Sequence, residues 1–167
     1  MDQLWAPWRL SYIVTNKDKP TTGEGCFICH GVTSNDDRSN HVVHRTELST
    51  VILNRFPYNN GHLLVCPRAH KATLDQLTNE ELLDLQLVLR QMMGILSKRM
   101  SPDGFNVGLN LGRVAGAGVP GHLHWHIVPR WNGDTNFMPI FGNARVIVQS
   151  LEALYDLLTE ELTGVSS

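Results

Sequence analysis

No stretch of this 167-residue chain approaches the run of about 20 apolar residues that crosses a bilayer. The first residues also lack the basic-then-apolar layout of a secretory leader. A membrane is therefore not an expected partner, and the cytoplasm is the expected compartment. Strong charge of either sign is missing as well. Lys and Arg number 14 against 16 Asp and Glu, a net charge of −2. Without a broad basic surface, nucleic acid is not expected as a partner either. Cysteine is scarce, with three in the chain. Two of them form Cys26-x-x-Cys29, a spacing that favours metal or redox chemistry over a structural disulfide. Repeats, low-complexity tracts and obvious linkers are absent. A hydrophobic content of 42% against 18% charged residues excludes a disordered chain and fits one folded domain.

What the chain does carry is concentrated in Gly121-His122-Leu123-His124-Trp125-His126-Ile127-Val128-Pro129-Arg130. Three histidines alternate with Leu123, Trp125 and Ile127. Period-two alternation predicts a strand with the imidazoles on one side and the apolar residues facing a core. Three neighbouring imidazoles are costly to desolvate without partners. This face is therefore expected to be reactive or to bind a metal.

The elements around that strand can be read in chain order. Trp5, Trp8 and Tyr12 make the N-terminal segment too apolar for a loose tail, so it is expected to dock on the domain or on a second subunit. Gly31 to Asn40 reads as a polar loop. His41–Thr46 and Thr50–Arg55 read as strands, and Gly61–Cys66 as a third that stops at Pro67. A short turn follows around Leu74 and Leu77. Thr78 with Glu81 forms a Thr-x-x-Glu capping box for a long helix. Leu82, Leu85, Val88, Leu89, Met92 and Leu96 recur at helical spacing to about Met100, and Pro102-Asp103-Gly104 closes it. Phe105–Leu111 is a fourth strand, a glycine-rich loop runs over 112–121, and the histidine strand is the fifth. Ser150 opens a last helix carrying Leu151, Leu154, Leu157, Leu158 and Leu162. The fold class expected is α+β: a mainly antiparallel five-stranded sheet with a long helix packed on it and a C-terminal helix.

The block His122-Leu-His124-Trp-His126-Ile-Val resembles the signature of the histidine triad (HIT) superfamily of nucleotidyl hydrolases and transferases. An upstream block, Asn54-Arg-Phe-Pro-Tyr-Asn-Asn-Gly-His62-Leu-Leu-Val-Cys-Pro67, resembles the ribose-binding strand, turn and following strand of the same family. The likeness covers about residues 26–131 within a single domain of 1–167. Leu4-Trp-Ala-Pro-Trp-Arg9, Trp125 and Arg130-Trp131 resemble the bacterial diadenosine tetraphosphate phosphorylase branch.

The resemblance implies the order of strand pairing. It also implies catalytic roles for His124 as nucleophile, His126 as phosphate ligand and leaving-group assistant, and His62 as their positioning partner. Neutral imidazole is a competent nucleophile near neutral pH, because its free pKa is about 6.5. Asn54 matches the ribose-binding position, and Asn110 a position near the phosphates. A plain strand-end asparagine is the competing reading of each. Gly116 and Gly118 fit a phosphate cradle, although a glycine-rich hairpin turn would look the same. Where hydrolytic relatives carry bulkier polar residues, this chain has Gly118, Val119 and Pro120.

Cys26-x-x-Cys29 has the spacing of one half of a zinc site, with a redox pair as its rival and a chance pair as the plain alternative. By resemblance His70 and His122 complete a structural zinc site, with His30, His41 and His44 as competing ligands. No organic cofactor is expected. The function implied is nucleotidyl transfer from dinucleoside polyphosphates through a nucleotidyl-histidine. Phosphorolysis of diadenosine tetraphosphate to ATP and ADP is the first choice, with inorganic phosphate as second substrate. Hydrolysis of dinucleoside polyphosphates or nucleoside phosphoramidates is the alternative. Two other classes stay open: a nucleotide-binding scaffold, and a metal hydrolase liganded by His122, His124 and His126. The family's habit of pairing implies a homodimer or higher homo-oligomer. Arg113 and Arg130 are candidates to offset phosphate charge.

Overall fold

The computed structural model describes residues 25–134 and 147–164. The expected docking of Trp5, Trp8 and Tyr12 lies outside the described residues. The first element is a helix, α1 (Phe27–Thr33). β1 (Val42–Arg45), β2 (Ser49–Leu53) and β3 (Leu63–Pro67) follow. A 3-10 turn, Leu74–Gln76, leads into the long α2 (Asn79–Met100). β4 (Gly104–Leu109), β5 (Trp125–Arg130) and α3 (Leu151–Thr163) complete the set. No described helix is long and apolar enough to cross a membrane.

The five strands make one antiparallel sheet in the order β1-β2-β3-β5-β4. Alternation along the strands sorts its two faces. Leu63, Val65, Trp125 and Ile127 belong to the larger core cluster with Leu85 and Met92 of α2 and Leu158 of α3. Leu64 and Cys66 pack instead with Cys26, Ile28, Val42 and Ile52 in a smaller cluster that includes α1 residues. His126 pairs with Leu64 across the β3–β5 ladder. The histidine side of β5 is therefore the side away from α2.

The helix signals act as local chemistry predicts. The Thr78 side chain accepts from the Glu81 amide at 3.2 Å, and the Glu81 carboxylate takes the Thr78 N–H at 2.7 Å. Ser150 caps α3 by accepting the Ala153 N–H. The α2 stripe at Leu85, Val88, Leu89, Met92 and Leu96 is buried and is core packing.

Two local expectations fail. Residues 27–33, which carry the second half of the cysteine pair and the start of the expected loop, form α1. Seven residues are too short to show helical periodicity, and what holds them is burial of Ile28 and Gly31 against the sheet. The histidine strand also starts later than its alternation suggests. Both ladders begin at Trp125, leaving His122 and His124 in the lead-in, and β5 runs through Pro129 to Arg130. The lead-in is held by a loop instead: the Leu123 N–H donates to the Lys71 carbonyl at 2.7 Å.

Candidate functional site

The turn before β3 places His62. Gly61 has φ +75°, and a Cβ there would lie 3.0 Å from Pro129 Cγ and 3.1 Å from Met100 Sδ. Glycine is required at this position by both backbone angle and space. It lets the turn fold under β5 and sets His62, 1% exposed, against His126.

The imidazoles carry a readable proton order. A carbonyl oxygen can only accept, so the 2.8 Å contact of His124 Nδ1 with the His122 carbonyl places the His124 proton on Nδ1. The lone pair of a neutral His124 is then on Nε2. The Tyr58 amide donates to His62 Nδ1 at 3.0 Å, so a neutral His62 carries its proton on Nε2. That proton faces His126 Nδ1 at 2.9 Å. His126 must therefore hold its own proton on Nε2. This atom is buried and has no hydrogen-bond partner among the described residues. A buried donor left unpaired is costly, and this one is suited to an incoming oxyanion. The His124 and His126 rings lie edge to face with centroids 5.1 Å apart.

Burial keeps these rings neutral. It lowers the His124 pKa, while the His122 carbonyl opposes the shift. His126 falls from 6.5 to about 4, through burial first and the neighbouring His124 second. Its folded pKa lies below the unfolded value. The unfolded chain therefore binds the proton more readily, and the stability contribution is present above about pH 6.5 and lost as pH falls to about 4. NMR titration of the His126 ring should show a midpoint near 4. A midpoint at the ordinary histidine value counts against the buried, neutral state.

Asn54 sits beside this group. Its Oδ1 accepts the Phe56 N–H at 2.9 Å, and its Nδ2 lies 3.2 Å and 3.4 Å from the two His62 ring nitrogens. Asn110 Nδ2 lies 3.5 Å from the Gly116 carbonyl, tying the end of β4 to the glycine loop. Within that loop Gly116 closes a turn. Its φ is +91°, but its N–H is bonded to the Arg113 carbonyl at 2.9 Å, closing a 3-10 turn. Its amide therefore caps that turn. Gly118 is exposed on the same loop. Arg130 departs from expectation. Its guanidinium forks onto Asp134 at 2.6 Å and 2.8 Å and reaches Asn106 at 2.8 Å, at the exposed end of β5. Its charge is committed to that carboxylate.

His122 parts company with the other two. Its Nε2–H donates to the Pro67 carbonyl at 2.8 Å, leaving the Nδ1 lone pair for a cluster with Cys26, Cys29 and His70. From His122 Nδ1, Cys26 Sγ is at 3.4 Å, Cys29 Sγ at 3.5 Å and His70 Nδ1 at 3.2 Å. Cys29 Sγ and His70 Nδ1 are 3.2 Å apart. Ligands around a tetrahedral zinc are spaced by about 3.3–3.8 Å, given bonds of about 2.0–2.3 Å. The backbone carbonyl behind His122 is the usual partner of a metal-bound imidazole. The four residues thus form a Cys2His2 group able to hold a metal ion. Without a cation, burial and then Cys26 push the Cys29 thiol up to about 11. A divalent cation would reverse that by favouring thiolate. His30, His41 and His44, the rival ligands, are not in the group, nor are His124 and His126.

The HIT domain family matches residues 35–133 of the chain. The protein belongs to the HIT family. An AP-4-A phosphorylase of Mycobacterium tuberculosis is 36% identical over 164 residues, covering 96% of this chain and 84% of the relative. An asymmetrical bis(5'-nucleosyl)-tetraphosphatase of Schizosaccharomyces pombe is 39% identical over 93 residues, 56% of this chain and 50% of its own. Relatives of this HIT protein are thus named as enzymes, and it is a HIT-family enzyme. Among solved structures, a zinc-bound histidine triad protein from Mycobacterium smegmatis superposes with a TM-score of 0.67 at 25% identity. That match covers 86% of this chain and 97% of the other.

In this HIT protein His62, His124, His126 and Asn54 lie together, as the sequence grouped them, but the sequence did not mark their backbone partners. The carbonyls of His122, Pro67 and Lys71 and the amide of Tyr58 set ring tautomers and position. Main-chain groups are identical at every residue, so no side-chain pattern marks them.

Proposed function

We propose that the protein transfers a nucleotidyl group from dinucleoside polyphosphates through a nucleotidyl-histidine, with diadenosine tetraphosphate as substrate and inorganic phosphate as acceptor. The observation that carries the chemistry is the proton order: an unprotonated Nε2 on His124 beside an unpaired, buried Nε2–H on His126. In the first step His124 Nε2 attacks an α-phosphorus and the bond to the bridging oxygen breaks. ATP leaves, and His126 Nε2–H supports the oxygen that gains charge. His62 holds His126 in the donating tautomer. In the second step a phosphate oxygen attacks the same phosphorus, the P–N bond breaks, ADP forms and His124 is regenerated.

Asn54 is assigned to the ribose hydroxyls, and Asn110 with Gly118 to the phosphates. Cys26, Cys29, His70 and His122 are assigned to one structural zinc, since four protein donors close the coordination shell. Bound there, the metal would tie α1 and the loop after β3 to the lead-in of β5. A homodimer is part of the same reading.

Phosphate as acceptor is supported by the phosphorylase relative that covers most of the chain. It is supported too by Gly118 and Val119, which stand where hydrolytic relatives carry bulkier polar residues. The tetraphosphatase relative favours water as acceptor instead. Product analysis separates the two. Turnover of diadenosine tetraphosphate should require added phosphate and yield ATP plus ADP. Equal turnover in phosphate-free buffer, with AMP plus ATP as products, makes the enzyme a hydrolase.

A further inference from the structure

The geometry points to Lys71 and Glu81 as a paired positioning device for His124, acting through the peptide unit between His122 and Leu123. The inference rests on the reading of His124 as the nucleophile. Both ends of that peptide are in use. Its carbonyl accepts the His124 Nδ1–H at 2.8 Å, and its N–H donates to the Lys71 carbonyl at 2.7 Å. A peptide bonded at both ends is polarised, which strengthens each bond. Movement of Lys71 would loosen the Leu123 N–H and, with it, the carbonyl that aims the nucleophile.

Lys71 lies between β3 and the 3-10 turn and belongs to no ladder. Its side chain is what holds it. Nζ binds both Glu81 oxygens, at 2.8 Å and 2.6 Å. Glu81 is 8% exposed and sits in the first turn of α2. One of its oxygens also takes the Thr78 N–H at 2.7 Å, so the carboxylate is anchored to the helix and cannot follow Lys71 outward. The pair thereby transmits the fixed position of α2 to the lead-in of β5. On the other side, His122 is held by its ring in the Cys2His2 group. The peptide that orients His124 is thus clamped from two directions.

The test is the double variant Lys71→Met/Glu81→Gln. Glutamine retains the capping box, methionine retains the stem, and no buried charge is left unpaired. The variant should fold and hold the same metal content. KM should stay within about twofold while kcat falls about tenfold, as expected when a reacting group is misplaced. Two resonances should report the cause: faster exchange of the Leu123 amide and an upfield shift of the His124 Nδ1–H. Lys71→Arg should recover most of the rate. An unchanged kcat in the folded double variant overturns the inference, whatever the amide does. If the double variant does not fold, Glu81→Gln alone, with its cap kept, takes the same readings. An active His124→Ala would instead overturn the nucleophile, and the Leu123 amide would still report whether the pair holds this peptide.

Discussion

Replacing His124 with alanine should cut turnover by at least about 10,000-fold, or about 5 kcal/mol of transition-state stabilisation. The magnitude follows from what is lost. The nucleotidyl-histidine route divides one displacement into two, and without Nε2 neither half exists. His126 and the rest of the proposed nucleotide site remain, so some binding energy survives. Nucleotide affinity should therefore change little, because the ring forms its decisive bond only during reaction. The side chain is 6% exposed and its Nδ1–H bonds within its own segment, so its removal disturbs few partners. The measurement is single-turnover chemistry beside equilibrium nucleotide binding. Near-normal turnover would remove the mechanism. Lost binding with normal chemistry in the residual complex would make His124 a ligand and not a nucleophile.

Removing the zinc proposed for the Cys2His2 group should have the second largest effect, and it should appear in stability before activity. The four donors come from segments far apart: Cys29 and His70 are separated by 41 residues, and His70 and His122 by 52. They meet only in the folded chain, so a metal binds the folded form alone. At about 1,000 times its dissociation constant it then adds about 4 kcal/mol. For a chain of this size that corresponds to on the order of 10 °C in Tm. Purified protein should hold about one zinc per chain, as a closed site requires. Chelation, or Cys26→Ser with Cys29→Ser, should lower Tm by that amount. Turnover should fall with it, because the carbonyl of His122 orients His124. Protein that is metal-free as purified and melts identically with and without chelator would reduce the cluster to packing.

The outcomes divide along physical lines. Period two on residues 122–128 and helical period on 82–96 are sums over many side chains, and the sequence alone carries the core-facing side of 123–127 and the α2 stripe. Leu123, Trp125 and Ile127 do enter the larger core. The capping box of α2 was legible because Thr78 and Glu81, three apart, satisfy each other's backbone within one turn. Tertiary structure decided what depends on distance between remote segments. α1 forms through burial against β2 and its neighbours, a contact that seven residues cannot announce. Arg130 is spent on Asp134 instead of facing phosphate, and Gly116 turns its N–H back onto Arg113. Above all, three histidines equivalent in the pattern are given different proton positions by different hydrogen-bond partners. The Pro67 carbonyl leaves His122 Nδ1 to the cysteines, the His122 carbonyl leaves His124 Nε2 bare, and His62 leaves His126 Nε2 protonated. A proton's position on an imidazole depends on which atom the fold brings within 3 Å of it. No residue order states that distance.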